Sequence, residues 1–347
     1  SLTTSAAENQ AHLQNYNDAL KLVGNARSVI GNRDMGTSRL GARLNYVTGL
    51  SQLGRGDSAA GMQALTAATT FQQSGGSTWL FQIGLADAMF AKGNVSSRSL
   101  MALYQILLRE PTQRDWTYDP LEALSVVLTP HEPSLENWFD VAIDRREDRA
   151  AFEISELARR HRFLSTLPLG GRLLELRWLL DGPPEALDQA SGLERQDLLA
   201  RFPRYADLAR EIAELRAQDR QEPLMAVEPE AIRRKSERNA RLTTLVGEQQ
   251  RLLETMAVGR HASAIIFPPR RTVEAVQADL PAGQGVLAFF GTKRKLHGMF
   301  LAKDEFMMWP IGTPAQLQKR AVTVLRELGH VDANRKLDAA VLASDSW

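Results

Sequence analysis

Leu280-Pro281-Ala282-Gly283-Gln284-Gly285-Val286-Leu287-Ala288-Phe289-Phe290 spans the junction where an all-helical chain passes into strands. Before it the apolar spacing is helical. Leu242, Leu245, Val246, Gln249, Leu252, Leu253 and Met256 form one stripe, with Gly259 at the expected C-cap. The stripe covers barely two heptads, so packing onto the protein body is expected rather than a coiled coil. After Gly259 come a short apolar run, Ala262–Phe267, and a helical turn or two at Val273–Ala278. Three strands are then predicted: Val286–Phe290, Leu296–Ala302 and Phe306–Pro310. Gly291-Thr292-Lys293-Arg294-Lys295 and Lys303-Asp304-Glu305 are hairpin-length links, so the expected topology is an antiparallel meander. The strands carry Leu287, Phe289, Phe300 and Trp309. One face is expected to seat on a helix over 314–328, capped by Thr313 and opened by Pro314. With no further strands in the chain, apolar surface should stay exposed. A last helix is expected from about Asp332.

Residues 8–181 read as successive helices with short turns. One hairpin ends with Tyr16-Asn17-Asp18-Ala19-Leu20, Val23 and Ala26. The next runs Leu44 to Leu53, turns at Gly54-Arg55-Gly56-Asp57 and returns through Gly61, Leu65 and Ala68. A third runs Trp79 to Phe90, turns at Lys92-Gly93-Asn94 and returns through Ser96, Leu100 and Leu103 to Pro111. The triplets 19/23/26, 61/65/68 and 96/100/103 each keep spacings of four and three, so each lies on one helical face. Gly49-Leu50 and Gly84-Leu85 recur 35 residues apart. That period, near the roughly 34 residues of the family, resembles tetratricopeptide repeats, although Gly61 and Ser96 stand where the repeat usually has alanine. Residues 112–134, rich in proline and aromatics, read as an irregular link around a helical run Leu121–Leu128. A further hairpin follows over 136–146 and 149–167. Leu167-Pro168-Leu169-Gly170-Gly171-Arg172 breaks it, and Gly182-Pro183-Pro184 ends a short helix. Residues 185–260 are charged and mostly helical.

The segment Val276–Phe290, a helix ending in leucine, a proline-glycine turn and a buried strand, resembles the entry to a CHAT domain, the caspase-like peptidase domain that accompanies tetratricopeptide repeats. Phe152-Glu153-Ile154-Ser155-Glu156-Leu157-Ala158-Arg159-Arg160 resembles the last repeat before that domain. The specific part of the resemblance covers about 262–345 and 150–166. The expected fold is mainly α: tetratricopeptide-like repeats over 1–181, a charged helical connector over 182–260, and the N-terminal part of an α/β caspase-like domain over 261–347. The resemblance implies cleavage by a His–Cys dyad. No dyad position transfers, because both members lie beyond the opening hairpin in the family. His297 and His330 are the histidines of this part, and neither sits before the expected glycine-flanked turn; His297, inside a strand, reads as a surface or packing residue.

The composition excludes several chemistries. With no cysteine there is no thiol nucleophile, disulfide or cysteine-bound zinc. No Gly-x-Ser-x-Gly elbow or phosphate-binding loop occurs; Gly291-Thr292-Lys293 lacks the upstream glycine and following helix. The histidines at 12, 131, 161, 261, 297 and 330 are scattered, so no metal site, cofactor or catalytic residue is assigned. Net charge is +1, which gives no global field for nucleic acid. Arg159-Arg160-His161-Arg162 reads as a solvated face at a helix C-terminal end, the alternative being a patch that grips an acidic partner or RNA. Arg233-Arg234-Lys235, Arg238 and Arg241 interleave with Glu230 and Glu237, which suggests pairing within the helix. The sequon Asn94-Val95-Ser96 is read as coincidence. No run reaches the roughly 18 apolar residues of a membrane span, and no signal peptide is visible, so a cytoplasmic location is expected. The chain begins at Ser1 and ends on Trp347 inside a helix-like stretch, as a fragment would. The expected function is the regulatory, partner-binding portion of a repeat-bearing cysteine peptidase, with a protein partner on the repeat surface. The alternative is a non-catalytic scaffold with a degenerate CHAT domain.

Overall fold

The computed structural model describes residues 2–30, 36–222, 228–260 and 271–327. The expected run Ala262–Phe267, the helix from Asp332, His261 and His330 lie outside them. Among the described residues the chain is mainly helical, with sixteen α-helices and one small antiparallel sheet. In chain order the helices are α1 (Leu2–His12), α2 (Tyr16–Ile30), α3 (Arg39–Gly54), α4 (Ser58–Phe71), α5 (Thr78–Lys92), α6 (Ser97–Leu107), α7 (Gln113–Tyr118) and α8 (Pro120–Leu128). They continue with α9 (Glu132–Asp144), α10 (Asp148–Ser165), α11 (Arg172–Asp181), α12 (Gln189–Arg201), α13 (Pro203–Gln221) and α14 (Pro229–Val258). Then come α15 (Val273–Asp279), strands β1 (Gly285–Gly291), β2 (Leu296–Ala302) and β3 (Phe306–Gly312), and α16 (Pro314–Glu327).

Two compact units divide these elements. The first holds Ser1–Leu85, Arg109–Pro130 and Arg162–Arg270; the second holds Ala86–Leu108, His131–His161 and Arg271–Trp347.

In the first unit α1 packs on α2, and α3 on α4. Ala19, Val23 and Ala26 are buried on α2, as their spacing predicts. The α3–α4 crossing is made close by two glycines. A Cβ on Gly61 would stand 2.7 Å from Leu53 Cγ and 3.1 Å from the Gly49 carbonyl, and a Cβ on Gly49 would stand 2.6 Å from Leu65 Cγ. Ser38 and Asp57 cap the two helices by accepting from the backbone N–H of Gly41 and Ala60. The apolar stripe of α14 is divided between two neighbours. Leu245 joins Leu208 and Ile212 of α13, while Leu253 and Met256 enter the larger core shared with α3 and α11. The stripe thus packs on the body.

The last carbonyls of α14 have no partner within the helix. Tyr46 on α3 donates its hydroxyl to the Val258 carbonyl at 2.7 Å, and Arg172 Nε donates to the Ala257 carbonyl at 2.6 Å. The Arg172 guanidinium also lies 3.9 Å from the centroid of the Trp116 ring. Burial pushes the pKa of Arg172 down to about 10, so the cation remains charged at neutral pH at a helix end that favours positive charge.

Three expectations are corrected here. Ser96 is not on the buried face of its helix; it is the N-cap of α6, accepting from the Ser99 N–H, and the buried stripe is Leu100, Tyr104 and Leu107. Gly49-Leu50 is buried, whereas Gly84 and Leu85 are exposed and a Cβ on Gly84 would meet nothing within 4 Å. The 35-residue recurrence therefore does not mark equivalent positions. The link 112–134 is largely helical, because Thr112 and Asp115 form a capping box for α7 and Pro120 stands at the first turn of α8, where its missing N–H costs nothing.

In the second unit the sheet order is β1-β2-β3, antiparallel throughout, as expected from the hairpin links. Its covered face carries Ala288, Phe290, His297, Met299 and Leu301. These meet α9 and α10: Phe139 lies 4.7 Å from the ring of Phe290, Phe152 lies edge-on to Phe306 at 6.0 Å, and Ser155 Oγ reaches Met299 Sδ at 3.8 Å. The covering helices are therefore α9 and α10, not 314–328. Short α15 is tied to the β2–β3 link by Gln277, which donates to the carbonyls of Ala302 and Glu305.

Candidate functional site

The opposite face of the sheet is apolar and open. Register places Leu287, Phe300 and Met307 in one row, and Phe289, Gly298 and Trp309 in the next. Leu287, Phe289, Met307 and Trp309 are exposed, and Phe300 is half-buried. Gly298 makes this row possible, since the Trp309 ring occupies the space a side chain would take; a Cβ there would stand 2.5 Å from Trp309 Cε2. The four residues singled out from the sequence, Leu287, Phe289, Phe300 and Trp309, fall together on this face. A second exposed apolar pair, Phe81 and Leu85, lies one turn apart on α5 beside the bare Gly84.

His297 points the other way. It is buried on the covered face, edge-on to Phe139 at 5.3 Å, and its Nδ1 has no hydrogen-bond partner among the described residues. Burial, with Lys295 adding to it, pushes its pKa down, so it packs as a neutral ring. His131 stacks on His161 at 5.2 Å, and the His131 N–H donates to His161 Nε2. His12 is half-buried beside Glu8. Among the described residues no group of three His, Cys, Asp or Glu could hold a metal ion.

The basic clusters are engaged. Arg159 pairs with Glu156 and donates to the Phe289 carbonyl on the β1 edge at 2.8 Å. Reading that cluster as wholly solvated is therefore corrected at its first arginine. Arg233 pairs with Glu230 and Glu237 along its own helix, as expected. Arg238 and Arg241 instead cross to α13, meeting Asp219, Glu222 and Glu211. Arg204 of α13 returns the exchange to Glu248. These arginines hold one helix to another.

Two clusters escaped the sequence reading. Asp87 accepts from the Tyr104 hydroxyl at 2.9 Å, from Ser134 Oγ at 2.7 Å and from Asn137 Nδ2 at 3.0 Å, joining α5, α6 and α9. Glu8, buried on α1, is held between Arg43 and Arg260, each at 2.6 Å. Burial alone would raise the pKa of Glu8, but the His12 ring 3.8 Å away and the two arginines outweigh it and bring it to about 2. No spacing rule finds either cluster, because the partners are tens to hundreds of residues apart.

No family model, curated protein or solved structure matches the chain. Among the described residues, no helix is long and apolar enough to cross a membrane.

Proposed function

We propose that the chain is the regulatory, partner-binding portion of a repeat-bearing caspase-like cysteine peptidase, with the His–Cys dyad carried outside these residues. The observation that carries the reading is the meander at 285–312. Three antiparallel strands follow a long all-helical run, at the position where the resemblance at Val276–Phe290 puts the opening strands of a CHAT domain. Helical hairpins such as α1–α2 and α3–α4 suit a tetratricopeptide-like scaffold, whose surface binds a protein partner. Phe81 and Leu85 on α5 are the side chains offered to that partner. The paired arginines of α13 and α14 speak against nucleic acid as the partner. A non-catalytic scaffold is the second reading, favoured by the absence of cysteine and the buried, neutral state of His297.

The coding sequence downstream of the Trp347 codon tests the proposal. A histidine and a cysteine, each at the end of a strand of the continuing sheet, support the peptidase. A continuing sheet without them leaves the scaffold, and a stop codon directly after Trp347 defeats the peptidase reading.

A further inference from the structure

The open face of the sheet and the helix that follows it are both unfinished. Leu287, Phe289, Met307 and Trp309 expose 56, 51, 47 and 37% of their surface. With side chains of roughly 150–250 Å², these four leave on the order of 400 Å² of apolar surface open on one face. α16 begins one residue after β3, and none of its side chains over 314–326 is buried. Yet it is amphipathic: Leu317, Ala321, Val324 and Leu325 recur at helical spacing, against Gln318, Lys319, Arg320 and Arg326.

We propose that α16 is the occupant of the open face, closing over it as a hinged cover that puts helices on both sides of the sheet. Three observations on this unit support it. Reciprocal capping between Thr313 and Gln316 starts the helix immediately after the strand, which leaves Thr313 as the one residue between them. Gly312 pairs with Leu296 in the sheet, and Leu317 Cγ already lies 4.0 Å from where a Gly312 Cβ would stand, so the apolar stripe begins over the strand end. The lengths agree as well: the 14 residues of α16 span about 21 Å as a helix, and the 7 residues of β3 about 23 Å as a strand. Folded back along β3, α16 carries Leu325 toward Met307 and brings Arg326 to the Asp304-Glu305 link.

Area decides between occupants. A standard interface between separate chains takes about 800 Å² from each partner. The open face supplies about half of that, which fits one tethered amphipathic helix better than a second copy of the chain. The inference uses only residues 285–327 and stands or falls apart from the peptidase reading.

The absence of native cysteine makes the test clean. Met307→Cys and Leu325→Cys are introduced together into the full chain and treated with a short bis-maleimide at low protein concentration. Leu287→Cys with Phe300→Cys, a directly facing pair in the β1–β2 register, is the control. The expected result is an intrachain cross-link in both, and a drop of at least tenfold in the first when Leu317→Asp is added. A cross-link of dimer size would make a second copy the occupant and overturn the proposal. So would a control that reacts while the Met307/Leu325 pair does not. Independently, Leu317→Asp with Leu325→Asp should raise binding of an apolar-surface dye several-fold over wild type; equal binding by both overturns the closure.

Discussion

Gly61 and Gly84 are both helical glycines, and alanine should move stability in opposite directions at the two. At Gly61 a methyl group would stand 2.7 Å from Leu53 Cγ and 3.1 Å from the Gly49 carbonyl, so α3 and α4 must separate. Overpacking of this kind costs about 1–3 kcal/mol. The better helix propensity of alanine returns about 1 kcal/mol. The net expectation for Gly61→Ala is a loss of about 1 kcal/mol, and Gly61→Leu, with no such gain in proportion to its bulk, should lose more. At Gly84 a Cβ meets nothing within 4 Å, so only the propensity term acts and Gly84→Ala should gain about 0.8–1 kcal/mol. At roughly 1–2 °C per kcal/mol, from about 2.1 cal/mol/K of unfolding entropy per residue, far-UV circular dichroism melts of the three variants and wild type separate the signs. A melting temperature unchanged by Gly61→Leu would refute the close crossing of α3 and α4. A lower one for Gly84→Ala would refute the open environment of α5.

Glu8 gives a pH signature: its carboxyl is depressed from 4.5 to about 2 in the fold, so its stabilisation is present above pH 4.5 and is lost as pH falls through 2. Urea titrations between pH 5 and 2 should therefore show wild type losing more stability than Glu8→Gln over that window; parallel losses would sink the assignment. Arg172→Leu removes the ligand of the Ala257 carbonyl and the cation over Trp116, and should cost about 2–4 kcal/mol in urea melts. Arg172→Lys should recover little of it, because an ammonium lacks the planar fork that serves both contacts; full recovery by lysine would show that charge alone matters. Incubated with casein or a peptide library, the chain should cleave nothing, having no thiol; activity that survives repurification and disappears on mutating one of its own residues would overturn that.

What could be read from the sequence was local. The strands were legible within two residues because alternation and hairpin links are written in consecutive residues, and Gly285–Gly291 is bounded by its own glycines. The stripe of α14 was legible for the same reason. What covers the sheet was not, because Phe139 and Phe152 precede Phe290 and Phe306 by some 150 residues and nothing in either stretch names the other. The repeat reading leaned on Gly-Leu pairs that occur in a buried crossing at 49 and on an exposed face at 84. A glycine records that room was needed or tolerated, and the sequence does not say which. The open apolar face was foreseeable in kind, from three strands carrying large apolar residues on both sides.

The order in which a ribosome makes this chain gives the Arg159–Phe289 contact a further meaning. Strand β1 is an uncharged apolar edge, the kind of segment that pairs with its own copies while still unfolded. Arg159, 130 residues earlier, occupies one of its outward carbonyls. At roughly 5–20 residues per second, α10 is complete on the order of ten seconds before β1 emerges. Phe139 and Phe152, which receive the inner face of the sheet, are synthesised earlier still. This uncharged apolar strand thus leaves the ribosome with its landing surface already made, and a permutation that placed residues 285–312 ahead of α9 and α10 would send it out unguarded.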